Sequence, residues 1–175
     1  MKTTETTSKN STPSAPKSKT DKPSEKAISA ITLLSNDHRK VEALFEEYEK
    51  AKASSRKQKI ALEICDELTV HAAVEEKGFY PPAREALGKD ADLVDEADVE
   101  HASLKWLIAQ IKAESPDSDH YDAKVKVLSE YVSHHVKEEE KEIFPKIKKS
   151  DLDMEALGAK LLELKTQLTP TLTHH

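Results

Sequence analysis

His71-Ala72-Ala73-Val74-Glu75-Glu76-Lys77-Gly78-Phe79-Tyr80-Pro81 reappears 64 residues later, in register, as His135-Val136-Lys137-Glu138-Glu139-Glu140-Lys141-Glu142-Ile143-Phe144-Pro145. In each copy a histidine precedes a glutamate by four residues, and on an α-helix positions i and i+4 project from the same face. A second correspondence, at a shift of 63, sets Asp37, His38, Val41, Leu44 and Phe45 against Glu100, His101, Leu104, Leu107 and Ile108. The chain therefore reads as two copies of one helical hairpin, each donating a His from its first helix and His-x-x-x-Glu from its second.

Apolar residues recur at intervals of three and four around both copies, the periodicity of helix. The pattern predicts helices over residues 24–51, 55–87, 91–114 and 119–149, with a shorter fifth over 152–168. Ser24 is the expected cap of the first. The second should kink or lose regularity at Pro81-Pro82 and stop at Gly88. Short connections make successive helices antiparallel, so the expected fold is all-α: an up-down-up-down four-helix bundle with a C-terminal helix. Only three glycines, at 78, 88 and 158, leave too little turn punctuation for an all-β fold and exclude a Gly-rich phosphate loop.

Working outward, residues 1–26 hold eleven Ser or Thr, three Pro and, as hydrophobic residues, only Met1 and Ala15. Such a segment buries too little to offset its ordering entropy, so it is expected to be a disordered tail. The helical domain is placed at 27–149 and the C-terminal helix and tail at 150–175. The tail carries a net charge of +3 and the rest of the chain −9, giving −6 for all 175 residues. An acidic body repels a phosphate backbone, so nucleic acid is not an expected partner. No apolar run is long enough for a membrane span, the first 26 residues lack the apolar core of a secretory signal, and a single cysteine, Cys65, cannot form an intrachain bridge. The expected compartment is the cytoplasm. Oligomeric state is left open.

Each of the four long helices carries one histidine on its apolar face: His38, His71, His101 and His135. The steps between them are 33, 30 and 34 residues. In an antiparallel bundle those steps run out along one helix and back along the next, which returns the four imidazoles to one layer. Glu75 and Glu139 join them. Burying a carboxylate without a partner is costly, so this convergence calls for a cation. Two equivalent half-sites imply two ions. Mixed nitrogen and oxygen donors with positions left open suit iron first and manganese next, rather than a thiolate-closed zinc site. The Glu-x-x-His signature of ferritin-like proteins is missing, since Leu68 and Val132 stand three before His71 and His135.

The order His, His-x-x-x-Glu, His, His-x-x-x-Glu, with Asp37-His38-Arg39-Lys40-Val41 early and Phe79-Tyr80-Pro81 and Ile143-Phe144-Pro145 after the glutamates, resembles the hemerythrin-like HHE cation-binding domain over about residues 27–149. The resemblance implies that His38, His71, His101 and His135 are terminal ligands and that Glu75 and Glu139 bridge two irons. The oxygen-carrying hemerythrins add a fifth histidine four residues from that of the third helix. Here Ala97 and Lys105 occupy those places. The four-His, two-Glu set is similar to that of the iron-centre repair branch, from which residues 1–26 depart in lacking cysteine.

Other residues draw plainer expectations. Glu42, Glu76, Glu138, Glu140 and Glu142 should form a charged outer face and His134 a helix flank. Cys65, Trp106, Leu107 and Tyr131 should fill the core or helix contacts. Leu34, Val41, Leu68, Leu104 and Val132 should wall a pocket that favours small neutral molecules. Three function classes stay open: a module that binds or senses O2, NO or iron; a stress-defence enzyme or iron donor acting on peroxide, NO or damaged iron centres; and a metal-free interaction bundle.

Overall fold

The computed structural model describes residues 27–169. The predicted N-terminal tail, Ser24 as a cap, and His174 and His175 lie outside the described residues. The chain forms α1 (Ala30–Lys50), α2 (Ser54–Val74), α3 (Tyr80–Leu87), α4 (Asp92–Ala113), α5 (Tyr121–Glu138), α6 (Phe144–Ile147) and α7 (Met154–Leu168), with π-helical turns Glu75–Phe79 and Glu139–Ile143 joining α2 to α3 and α5 to α6. Residues 27–29 are irregular, so the first helix starts six residues later than predicted. Its cap is Ser29, whose Oγ accepts from the Thr32 N–H at 3.2 Å. Asp153 caps α7 in the same way, through bonds from Glu155 and Ala156.

The expected kink at Pro81-Pro82 is resolved one turn earlier, and by widening. Pro81 and Pro145 have no N–H to return to the carbonyls of Lys77 and Lys141, and a pyrrolidine ring collides with the carbonyl four residues back. The chain shifts to i→i−5 bonding just before each proline: Tyr80 N–H donates to the Glu75 carbonyl and Phe144 N–H to that of Glu139. Gly88 ends α3 at φ +56°, a conformation that favours glycine.

Two apolar clusters fill the bundle, one on each side of a polar layer. One gathers Val41 to Tyr48 of α1 with Ile60 to Leu68, Leu104 to Ile111 and Tyr121 to Val136. The other gathers Ala30 to Leu34 with Val70 to Leu87, Val94, Ala97 and Ile143 to Ile147, and is closed by Leu157 and Leu161 of α7. Helix α7 packs on α1 and α2 and, among the described residues, has no counterpart over α4 and α5. Its approach depends on Gly158: a Cβ there would sit 2.0 Å from the Ile28 carbonyl oxygen and 2.8 Å from the Ala30 nitrogen, which backbone atoms cannot yield. Two aromatic residues depart from their predicted burial. Trp106 is 64% exposed and Tyr131 is 50% exposed, both on the outer face of α4 and α5.

Candidate metal centre

All six predicted site residues meet in the polar layer, and all are buried. His38 Nε2 lies 3.2 Å from His71 Nε2, and His101 Nε2 lies 3.1 Å from His135 Nε2. The carboxylates lie across these pairs. Glu75 Oε2 is 3.2 Å from His71 Nε2 and 3.3 Å from His101 Nε2. Glu139 Oε2 is 3.3 Å from His38 Nε2 and 3.6 Å from His135 Nε2. Each glutamate thus touches one imidazole of its own hairpin and one of the other. The donors fall into two groups, His38-His71-Glu75-Glu139 and Glu75-His101-His135, with Glu75 in both.

The spacing and electrostatics fit an ion. Two ligands at right angles, each ~2.1 Å from a metal, stand about 3.0 Å apart, close to the observed nitrogen separations. Glu75 Oε1 and Glu139 Oε2 are buried with no hydrogen-bond partner, a costly state that a cation relieves. Protons are drawn to the same place. Burial disfavours a charged His71, yet the Glu75 charge and the nearby Asp37 carboxylate outweigh it and raise its pKa to about 10. His135 is raised well above the usual range against the same desolvation, by Glu139, Glu100 and Glu75. Glu75 is held well below its ordinary value despite complete burial, by the His71 charge and by bonds from His101, His135 and His71.

Each imidazole also faces a carboxylate at Nδ1. His38 bonds Glu140 at 2.9 Å, His101 bonds Glu76 at 3.0 Å and His135 bonds Glu100 at 2.7 Å. His71 faces Asp37 at 3.6 Å. Such partners set the ring orientation and turn Nε2 toward the ion. This corrects the outer-face expectation for Glu76 and Glu140, which are half-buried and hold histidines of the opposite hairpin. The internal repeat carries the missing signal, because Asp37 aligns with Glu100 and Glu76 with Glu140. Glu42 is exposed and pairs with Arg39, and His134 lies at a flank, as expected.

Tyr80 is a further member that sequence reasoning passed over. Its hydroxyl donates to Glu139 Oε1 at 3.0 Å and lies 3.3 Å from His101 Nε2 and 3.5 Å from Glu75 Oε2. The π-turn puts it there: widening toward 4.4 residues per turn brings position i+5 round to the face of Glu75. Burial, then the Glu75 and Glu139 charges, hold the phenol well above its ordinary pKa, so it stays protonated. Beside the layer is a cavity of about 20 Å³, walled by Val41, Leu68, Leu104 and Val132 together with the histidines. Leu34, expected there, packs in the other apolar cluster instead.

The model of the hemerythrin HHE cation-binding domain matches residues 29–147. The chain belongs to that family. The hemerythrin-like domain is 34% identical over 118 residues, or 66% of this chain, to a protein of Nostoc sp. (strain PCC 7120 / SAG 25.82 / UTEX 2576) named DNA nickase. The match spans 32% of that relative's length. Its fold is that of a crystal structure of a hemerythrin HHE cation-binding domain-containing protein from Mycobacterium kansasii, with a TM-score of 0.69 at 22% identity, covering 82% of this chain and 89% of the other. Among the described residues no helix is long and apolar enough to cross a membrane.

Proposed function

We propose that this hemerythrin-like protein holds two non-haem iron ions in the buried layer and uses them to bind or sense a small neutral molecule such as O2 or NO. The observation that carries this reading is the position of each carboxylate between imidazoles of opposite hairpins, where a ligand shared by two ions would lie. His38, His71, His101 and His135 would hold the ions through Nε2, and Glu75 and Glu139 would be shared between them. Donors of this kind suit iron, with manganese next. When bound, the iron pair supplies open coordination positions and redox chemistry. The chain's own residues do the rest. The carboxylates at Nδ1 orient the imidazoles, the aliphatic wall excludes water and anions, and the cavity of about 20 Å³ has room for one small molecule.

Tyr80 favours a second reading, an enzyme of stress defence that consumes peroxide or NO, because its buried phenol holds a proton at the layer that would reach a captured oxygen atom by turning from Glu139. A nucleic-acid role, which the name of the Nostoc relative raises, draws no support from the net charge of −9 outside the first 26 residues.

Metal analysis after anaerobic purification, with visible spectra under nitrogen, air and NO, tests the proposal. About two irons per chain are expected, with ligand-dependent spectra. The double variant His71→Ala/His135→Ala should lose the metal and unfold at lower temperature, since metal binding contributes to folding free energy. Unchanged iron content in that variant would reject the assignment, and sustained consumption of peroxide or NO would move the conclusion to the enzyme.

A further inference from the structure

Three of the four carboxylates that face a histidine Nδ1 are neutralised by a cation of the chain. Asp37 pairs with Lys165 of α7, Glu76 with Lys105 at 2.6 Å and Glu140 with Arg39 at 2.5 Å. Glu100 is the exception. Among the described residues no Lys or Arg pairs with it. Its place in the repeat is that of Asp37, but among the described residues no helix covers the second hairpin as α7 covers the first, and none of their lysines pairs with it.

What Glu100 faces instead is a second set of donors. While Oε2 accepts from His135 Nδ1, Oε1 lies 3.4 Å from Nε2 of His134, and the same nitrogen lies 3.0 Å from Glu138 Oε1. One imidazole nitrogen and two carboxylate oxygens converge within 4.8 Å of one another. His134 is 65% exposed, so the set opens to solvent. Glu100 and His134 also line a surface depression of about 290 Å³ with Ser103, Leu104 and Tyr131. Leu104 is the shared wall, since it lines the small buried cavity as well.

We propose that Glu100, His134 and Glu138 form a surface site for a divalent transition-metal cation, from which the buried centre is loaded. The ion takes the place that Lys165, Lys105 and Arg39 fill at the equivalent carboxylates. His134 Nε2 and the two glutamates supply a mixed nitrogen and oxygen set suited to Fe2+, Mn2+ or Zn2+. Glu100 belongs to both sites, one oxygen toward the surface ion and the other holding His135. The loading role rests on the metal-centre reading above; the surface site does not.

The test uses the full-length, metal-free protein and Zn2+ alone, followed by equilibrium dialysis. The variant His134→Ala/Glu138→Gln should bind one Zn2+ per chain fewer than the unaltered protein. Both positions are exposed or half-exposed, and Glu100 is left in place to hold His135. In anaerobic mixing with Fe2+, the same variant should reach the same final iron content at an initial rate lowered roughly tenfold, the scale on which a charged cleft raises cation capture. An unchanged Zn2+ count, or Fe2+ uptake at the unaltered rate, overturns the proposal. The two readings fail separately: His71→Ala/His135→Ala should still bind one Zn2+, and adding His134→Ala should remove it.

Discussion

Tyr80 in the first hairpin and Phe144 in the second hold equivalent places, each packed over a histidine of the opposite hairpin. The ring centroids are 5.4 Å apart for Tyr80 and His101, and 6.0 Å for Phe144 and His38. Only the first carries a hydroxyl, and it is bonded into the donor layer. The same pairing of like frame and unlike chemistry recurs at Asp37 and Glu100, one shielded by α7 and Lys165, the other open to solvent beside His134. The donor groups are unequal too, four residues against three. Duplication of a hairpin supplies a nearly twofold frame, and substitutions at equivalent positions give its two halves different contacts.

The largest expected consequence of that inequality concerns the glutamates. Glu75 lies within reach of three of the layer imidazoles and Glu139 of two, so Glu75→Ala should lose more iron than Glu139→Ala. Iron content by mass spectrometry separates the two. Equal losses would show that the hairpins act as equivalents.

A difference in pH response between metal-free and metal-loaded protein should be smaller but clear. His71 is raised to about 10 from 6.5, so its contribution to the metal-free fold is complete below pH 6.5 and is lost as pH rises toward 10. His135, raised in the second hairpin, acts in the same sense. Glu75 is lowered, so its contribution is present above pH 4.5 and lost as pH falls further. Metal binding displaces protons and strengthens as pH rises. Urea midpoints at pH 6 and pH 9 should therefore fall for the metal-free protein, and the stabilisation added by metal should grow. A metal-free midpoint that rises with pH would contradict an imidazolium-carboxylate layer.

The smallest effect is expected from Tyr80→Phe, which makes the first hairpin match the second. Removing the bond to Glu139 should cost about 1 kcal/mol of metal-free stability, measured by urea unfolding, with the metal count unchanged. A loss of metal in this variant would make the phenol a ligand in its own right.

Much of this was legible in the residues. Helix periodicity marked the bundle, because an amphipathic helix records its buried face as spacing along the chain. The repeat marked the six layer residues, because antiparallel hairpins return equal positions to equal depth. Helix ends are less legible: several Ser and Thr, Ser24 among them, precede the first apolar positions, and only the packed start of α1 selects Ser29. Trp106 and Tyr131 read as core or helix contacts, whereas both are exposed, because among the described residues no neighbouring helix reaches the outer face of α4 and α5.

Local spacing and composition thus decided the helical class, the duplicated hairpin and the donor layer, all of which depend on chemistry repeated at short range. The pairing of Glu76 with His101, Glu140 with His38 and Lys165 with Asp37 was settled only on folding. So were the aim of Tyr80 across a π-turn and the setting of Glu100 beside His134. These join residues 25 to 128 positions apart or depend on a change of helical pitch, and a linear pattern of polar and apolar residues does not specify which distant side chain occupies a given nitrogen.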